Sequence, residues 1–119
     1  MPLTILVDQG TASAAEILAA ALRDHDRGKL VGLPTYGKGT VQTFFDLSDG
    51  SGMKITTARY YTPKGKSLES KGLIPDVRVD SFTPVEIVAG SGTIDEIEDA
   101  DPQLEAAVNL ARTSLRKAN

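Results

Sequence analysis

Leu3-Thr-Ile-Leu-Val-Asp-Gln-Gly-Thr-Ala-Ser-Ala-Ala-Glu16 runs from an apolar strand pattern through a glycine turn into a helix pattern. Leu3 to Val7 is a continuous apolar run with β-branched residues, the pattern of a strand covered on both faces. The Gln9-Gly10-Thr11 turn leads into a helix expected from Ser13 to Asp26, with Ile17, Leu18, Ala21 and Leu22 as one apolar stripe. Arg23 to Asp26 form its polar end, and Gly28 is a suitable stop. Lys29 to Leu33 then reads as a second strand. Strand, helix and strand in this order predict a β-α-β unit with parallel strands and a right-handed crossover.

Working outward, Pro34 ends the second strand and the glycine-flanked loop Tyr36-Gly37-Lys38-Gly39 follows. Val41 to Leu47 and Met53 to Tyr61 alternate around Asp49-Gly50-Ser51-Gly52, which predicts a hairpin. Pro63 to Gly65 marks another turn, and Val77 to Val79 a short final strand. Phe82 to Ala100 is acidic and punctuated by Gly90 and Gly92, as a linker would be. Asp101-Pro102 is a good N-cap and first-turn pair. Leu104, Val108, Ala111 and Leu115 give the following helix an apolar face, expected to dock on the core or on other parts of a longer protein. The fold class is α/β, with one unit over residues 1–80 and an acidic linker plus C-terminal helix over 81–119.

Composition narrows the functional classes. The 119 residues are 40% hydrophobic and 5% aromatic, which permits one small core of Leu, Ile, Val and Ala. A net charge of −3 with both signs interspersed gives no argument for nucleic acid as a partner. With no cysteine there is neither a disulfide nor a thiolate metal site. No run reaches the length of a membrane-spanning helix. Asp95, Glu96, Glu98, Asp99 and Asp101 lack EF-hand spacing and read as a solvated acidic segment, so neither metal nor cofactor is expected. His25, the only histidine, lies at the polar helix end among charged neighbours and reads as a helix-end charge.

Two residues carry candidate chemistry. Ser13 precedes the helix, and Ser13-Ala-Ala-Glu16 is a capping box, so the hydroxyl could simply cap. Thr11 could close the turn instead, leaving Ser13 to face a cleft. At that position the Ala14 N–H is unused by the helix and sits at the positive end of its dipole, ready to donate to an oxyanion. Lys38 alone would read as a surface lysine; a phosphate loop is ruled out because Gly39, not Ser or Thr, follows it. Serine beside a lysine from a neighbouring strand end is also the material of a Ser-Lys hydrolase. For Lys38 to act as a base it must lose its proton near neutrality, and burial without a carboxylate partner is the physical route. Gln42 lies on the next strand, opposite in facing to Val41, Thr43 and Phe45. Tyr60 and Tyr61 read as strand residues, one of which could line a substrate groove.

Gly10-Thr-Ala-Ser-Ala-Ala-Glu16, Tyr36-Gly-Lys-Gly-Thr-Val-Gln42, Lys54-Ile-Thr-Thr-Ala-Arg-Tyr-Tyr-Thr-Pro63 and Gly72-Leu-Ile-Pro-Asp76 occur in that order. Together they resemble the catalytic core of the carboxyl-terminal processing peptidases, the tail-specific serine proteases. The resemblance runs from about Leu3 to Val79. It implies a ClpP/crotonase-like core, with residues 1–80 its C-terminal part, and an endopeptidase cutting proteins near their C-termini. It also implies roles: Ser13 as nucleophile, Lys38 as base, Gln42 as the amide that orients Lys38, and Ala14 N–H in the oxyanion hole. The expected partners are the C-terminal regions of protein or peptide substrates, and the parent protein would be periplasmic or membrane-anchored in bacteria. Members of this family also carry an upstream segment that completes the oxyanion hole, and usually a PDZ domain. Neither pattern occurs here, which favours reading the chain as a piece of a longer protein, weakly active or inactive alone and able to form a homo-oligomer or domain-swapped dimer. The alternative is a non-catalytic ligand-binding or interaction domain on the same fold.

Overall fold

Leu30 and Val31 are completely buried, and they make Lys29–Gly32 the centre of the molecule. The computed structural model describes residues 1–80 and 101–117; the expected acidic linker at 81–100 lies outside the described residues. The elements are β1 (Thr4–Val7), α1 (Ala14–Asp24), β2 (Lys29–Gly32), β3 (Thr40–Asp46), β4 (Gly52–Arg59), β5 (Val77–Arg78) and α2 (Pro102–Lys117). The class is mixed α/β.

Strands β1, β2 and β5 form one parallel sheet in the order β1-β2-β5. Thr4 pairs with Lys29 and Val7 with Gly32, while Val31 pairs with Val77 on the other side. The period-two alternation of β1 sends Ile5 and Val7 toward α1, where they join Ile17, Ala19, Ala20 and Leu30 in the core. Leu6 points the other way and stays 44% exposed, so β1 is not covered on both faces as expected. The cause is its place as an outer strand, only partly overlaid by α2.

Helix α1 differs from expectation in its buried face and its end. Glu16, Ala19 and Ala20 are buried, while Leu18 is 63% exposed. Small alanines let the helix lie close on the sheet, so of the predicted stripe Ile17 packs on the core, Ala21 and Leu22 are half-buried and only Leu18 faces solvent. The helix stops at Asp24 through a Schellman arrangement: Asp26 N–H donates to Arg23 O and Arg27 N–H to Leu22 O. Asp26, with φ 54°, supplies the left-handed residue in place of the expected Gly28.

The hairpin β3–β4 stands as a separate two-stranded sheet, with a register irregularity between Val41 and Gln42. After it, Leu68 and Leu73 dip into the core beside β1, β2 and α1. Helix α2 packs on β1 and β2, with Ala107 buried. Asp101 Oδ1 caps it, accepting from the Gln103 and Leu104 amides at 2.9 and 3.2 Å.

Candidate active site

The chain reaches α1 through a turn that closes on itself. Thr11 Oγ1 accepts from Asp8 N–H and donates to Asp8 Oδ1, both at 3.0 Å. Thr11 thus takes the turn-forming role, and Ser13 does not share it. Ser13 stands at the N-cap with φ 54° and ψ −118°, a combination that L-residues rarely adopt and that costs of order 1–3 kcal/mol. An ordinary capping serine has extended backbone and aims its oxygen at the first-turn amides. Ser13 keeps the capping-box pairing with Glu16, but its side chain forms no cap hydrogen bond. The Ser13 N–H donates to Glu16 Oε2 at 2.9 Å. Among the described residues the Ala14 N–H donates to no acceptor.

Glu16 is the unexpected centre of the site. Its side chain is fully buried on the sheet-facing side of α1. Oε1 receives the Thr35 hydroxyl and the Gly37 N–H (2.8 Å), and Oε2 receives the Lys38 N–H at 2.9 Å as well as that of Ser13. Burial pushes the carboxyl upward, but the hydrogen bonds from Thr35, Lys38, Gly37 and Ser13 outweigh it and hold it below its ordinary value. One buried anion therefore pins both the helix start and the lysine loop.

The same loop is held from its other side. Gly39 N–H donates to Glu69 Oε2 at 2.9 Å, and Ser70 N–H donates to Gly37 O at 2.9 Å. Thr35 Oγ1 accepts from Leu73 N–H at 2.7 Å, which links this strap to Glu16. Gly37 has φ 88°, and a Cβ there would lie 2.7 Å from Gly72 N, so the loop and the strap can lie together only with glycine at this position.

These constraints bring Ser13, Lys38 and Gln42 to one open cleft of about 240 Å³, walled by Phe44, Lys54 and Tyr60. Gln42 and Phe44 share a face of β3, and Lys54 reaches across from its cross-strand position opposite Phe44. Lys38 is exposed, which departs from the expected burial. His25 is exposed at the C-terminal end of α1, away from the cleft. Among the described residues no group of three or more His, Asp and Glu is gathered as a metal site would require.

Comparison with known proteins places the chain in a family. The model of peptidase family S41 matches residues 1–79. The chain belongs to peptidase family S41. It is 54% identical over 79 residues to the chloroplastic C-terminal processing peptidase of Tetradesmus obliquus, covering 66% of this chain and 17% of that protein. It is 45% identical over 113 residues to the carboxyl-terminal-processing protease of Synechocystis, covering 92% of this chain and 24% of the relative. The chain therefore spans only about a fifth of the length of these relatives. Among solved structures it matches a photosystem II D1 C-terminal processing protease with TM-score 0.64 and 54% identity, over 66% of this chain and 20% of that one. The tricorn protease matches with TM-score 0.70 over 97% of this chain and 10% of that one; at 21% identity the likeness is one of fold.

Two residues of this S41 chain, Thr35 and Glu69, and the wider role of Glu16 escaped the sequence reading. The capping-box pattern pointed to Glu16 but only toward Ser13. Its bonds to Thr35, Gly37 and Lys38 span 19 to 22 positions, and no local pattern encodes them.

Proposed function

We propose that this chain carries the nucleophile and base of a Ser-Lys endopeptidase, on a ClpP/crotonase-like core formed by residues 1–80, with 81–119 as linker and docking helix. Ser13 Oγ attacks the scissile carbonyl carbon, and Lys38 Nζ takes the hydroxyl proton. The Ala14 N–H donates to the oxygen that becomes the oxyanion, in the manner of preorganised donors at a helix start. Collapse of the tetrahedral adduct leaves an acyl ester on Ser13, and Lys38 returns the proton to the departing amine. Water then attacks the ester as Lys38 takes its proton. Collapse of this second adduct frees the new carboxyl terminus while Lys38 returns the proton to the departing Ser13 Oγ, leaving a neutral amine and a hydroxyl for the next cycle. Gln42 steadies the Lys38 amine without adding a negative charge that would favour its protonated form.

The observation that carries this reading is the strained Ser13 backbone, which leaves its hydroxyl uncommitted at a cleft shared with Lys38 and Gln42. Proton abstraction calls for a dry amine, so substrate or additional polypeptide must cover Lys38 during turnover. The substrate class is protein or peptide, cut near the C-terminus as the names of the similar proteins suggest. A fluorophosphonate applied to the intact protein tests the reading. Covalent labelling at Ser13, lost in Ser13→Ala, is expected; labelling elsewhere, or none, overturns it.

A further inference from the structure

The cleft contains a second lysine to which this mechanism gives no work. Lys54 sits directly opposite Phe44 in the β3–β4 register, and its Nζ lies 5.2 Å from the Phe44 ring centroid. That cation–π contact steers the ammonium over the cleft wall while leaving its hydrogens open to an acceptor. Lys54 has no ion-pair partner among the described residues, and no Asp or Glu lines the cleft. The lysines of the cleft, Lys38 and Lys54, thus face a substrate with no protein carboxylate between them.

We infer that Lys54 is a specificity-determining residue, which receives a carboxylate of the substrate a short way from the scissile bond. The spacing supports this. Phe44 lies two residues beyond Gln42 on the same face of β3, which is about 7 Å along a strand. Lys54 pairs with Phe44 across the hairpin, and both line the same cleft as Ser13, so an extended peptide with its reacting carbonyl over Ser13 that runs along this wall passes Lys54. The shared chemistry is a carboxylate, and it has two sources: the terminal α-carboxylate of a short leaving peptide, or an Asp or Glu side chain flanking the cut. A solvated ion pair contributes little, but one covered by bound substrate is screened less, so discrimination of about 10-fold is expected.

This inference rests on the peptidase reading of the cleft, and its test separates the two. In the intact protein, kcat/KM is measured for fluorogenic peptides ending in a free acid or an amide, and for peptides with Asp or Asn near the cut. The wild type should favour one carboxylate series about 10-fold. Lys54→Gln should bring that ratio close to one, whereas Lys54→Arg, which keeps the charge and stacks on Phe44, should preserve it. Free-acid dependence identifies the α-carboxylate; Asp dependence identifies a side chain. The same peptides are titrated into the Ser13→Ala protein by fluorescence anisotropy. Carboxylate-dependent binding without any turnover in the wild type would sink the peptidase reading but keep the carboxylate site. Turnover and binding indifferent to the carboxylate, or a preference that survives Lys54→Gln, overturns the inference about Lys54.

Discussion

The backbone amides of Ser13 and Lys38 converge on a single oxygen, Oε2 of Glu16, each at 2.9 Å. The two residues are 25 positions apart in sequence, yet one buried carboxylate fixes their separation. Glu16→Gln should break this arrangement, because a neutral amide has one acceptor oxygen and brings two donors into a pocket already full of donors. We expect a loss of about 3 kcal/mol in urea unfolding and a fall in kcat larger than the change in KM. Near-wild-type stability and turnover would mean that the loop is positioned by other contacts.

The same carboxylate predicts a pH dependence. Its folded-state value lies below the ordinary 4.5, so the folded state favours the charged form. The stabilisation is complete above about 4.5 and falls as pH drops below that value and through the lowered folded one. Asp24 acts in the same direction, held low by the Thr62 hydroxyl and the Lys64 amide against the opposing effect of burial. Stability followed by urea denaturation should fall with acidification below pH 4.5, and less steeply in Glu16→Gln. Equal slopes in the two proteins would show that Glu16 does not drive the acid transition.

Ser13 gives a prediction in which stability and activity move apart. Ser13→Ala removes no cap hydrogen bond, so stability should change little although hydrolysis is lost. Ser13→Gly relieves the strain at φ 54° but adds freedom to the unfolded chain, which offsets about 0.4–1 kcal/mol of the gain. The glycine variant should thus be inactive yet more stable than the alanine variant, by about 1 kcal/mol in chemical denaturation. An alanine variant as stable as the glycine one would show that the backbone is unstrained.

Much of this was legible in the sequence. Both parallel strands of the β-α-β unit, the hairpin, the Asp101 cap and the residues meeting at the cleft follow from local pattern and from motifs. What was hidden depends on packing at long range. The buried face of α1 turned on which side chains were small enough to approach the sheet, so Ala19 and Ala20 displaced Leu18. Strand Lys29–Gly32 gains neighbours on both sides because Val77 returns to pair with Val31 across 46 residues. The exposure of Lys38 escaped for a similar reason, since the motif carries identity and spacing but not what covers the side chain.

Lys38 is best tested by a substitution that keeps its charge. Lys38→Arg retains a cation on a similar stem, but guanidinium stays protonated throughout the working range. If Lys38 shuttles the Ser13 proton, Lys38→Arg should be nearly as inactive as Lys38→Ala in kcat. The Glu16 and Glu69 contacts involve the backbone of the loop and should survive both changes. An arginine variant with substantial turnover would reassign Lys38 to a fixed electrostatic role and leave the base unidentified.

The last prediction concerns the edge of the sheet. Lys29 N–H bonds to Leu3 O and Leu33 N–H to Val7 O, so alternate residues of β1 turn their backbone groups toward β2. Thr4 and Leu6, out of phase with these, present theirs to the open side, where no strand pairs among the described residues. An unpaired edge carrying an exposed leucine is a template for another chain. The lysines and glutamates that usually blunt such edges are absent from Thr4–Val7. In isolation this 119-residue chain should therefore self-associate, and light scattering at rising concentration should report species larger than the monomer. Leu6→Lys places a charge on that edge at a half-exposed position, and should return the chain to monomer without changing its circular dichroism. A wild-type chain that stays monomeric would show that the edge is protected. Association that persists unchanged in Leu6→Lys would move the contact to another surface, with the exposed apolar face of β3 and β4 next to be tested.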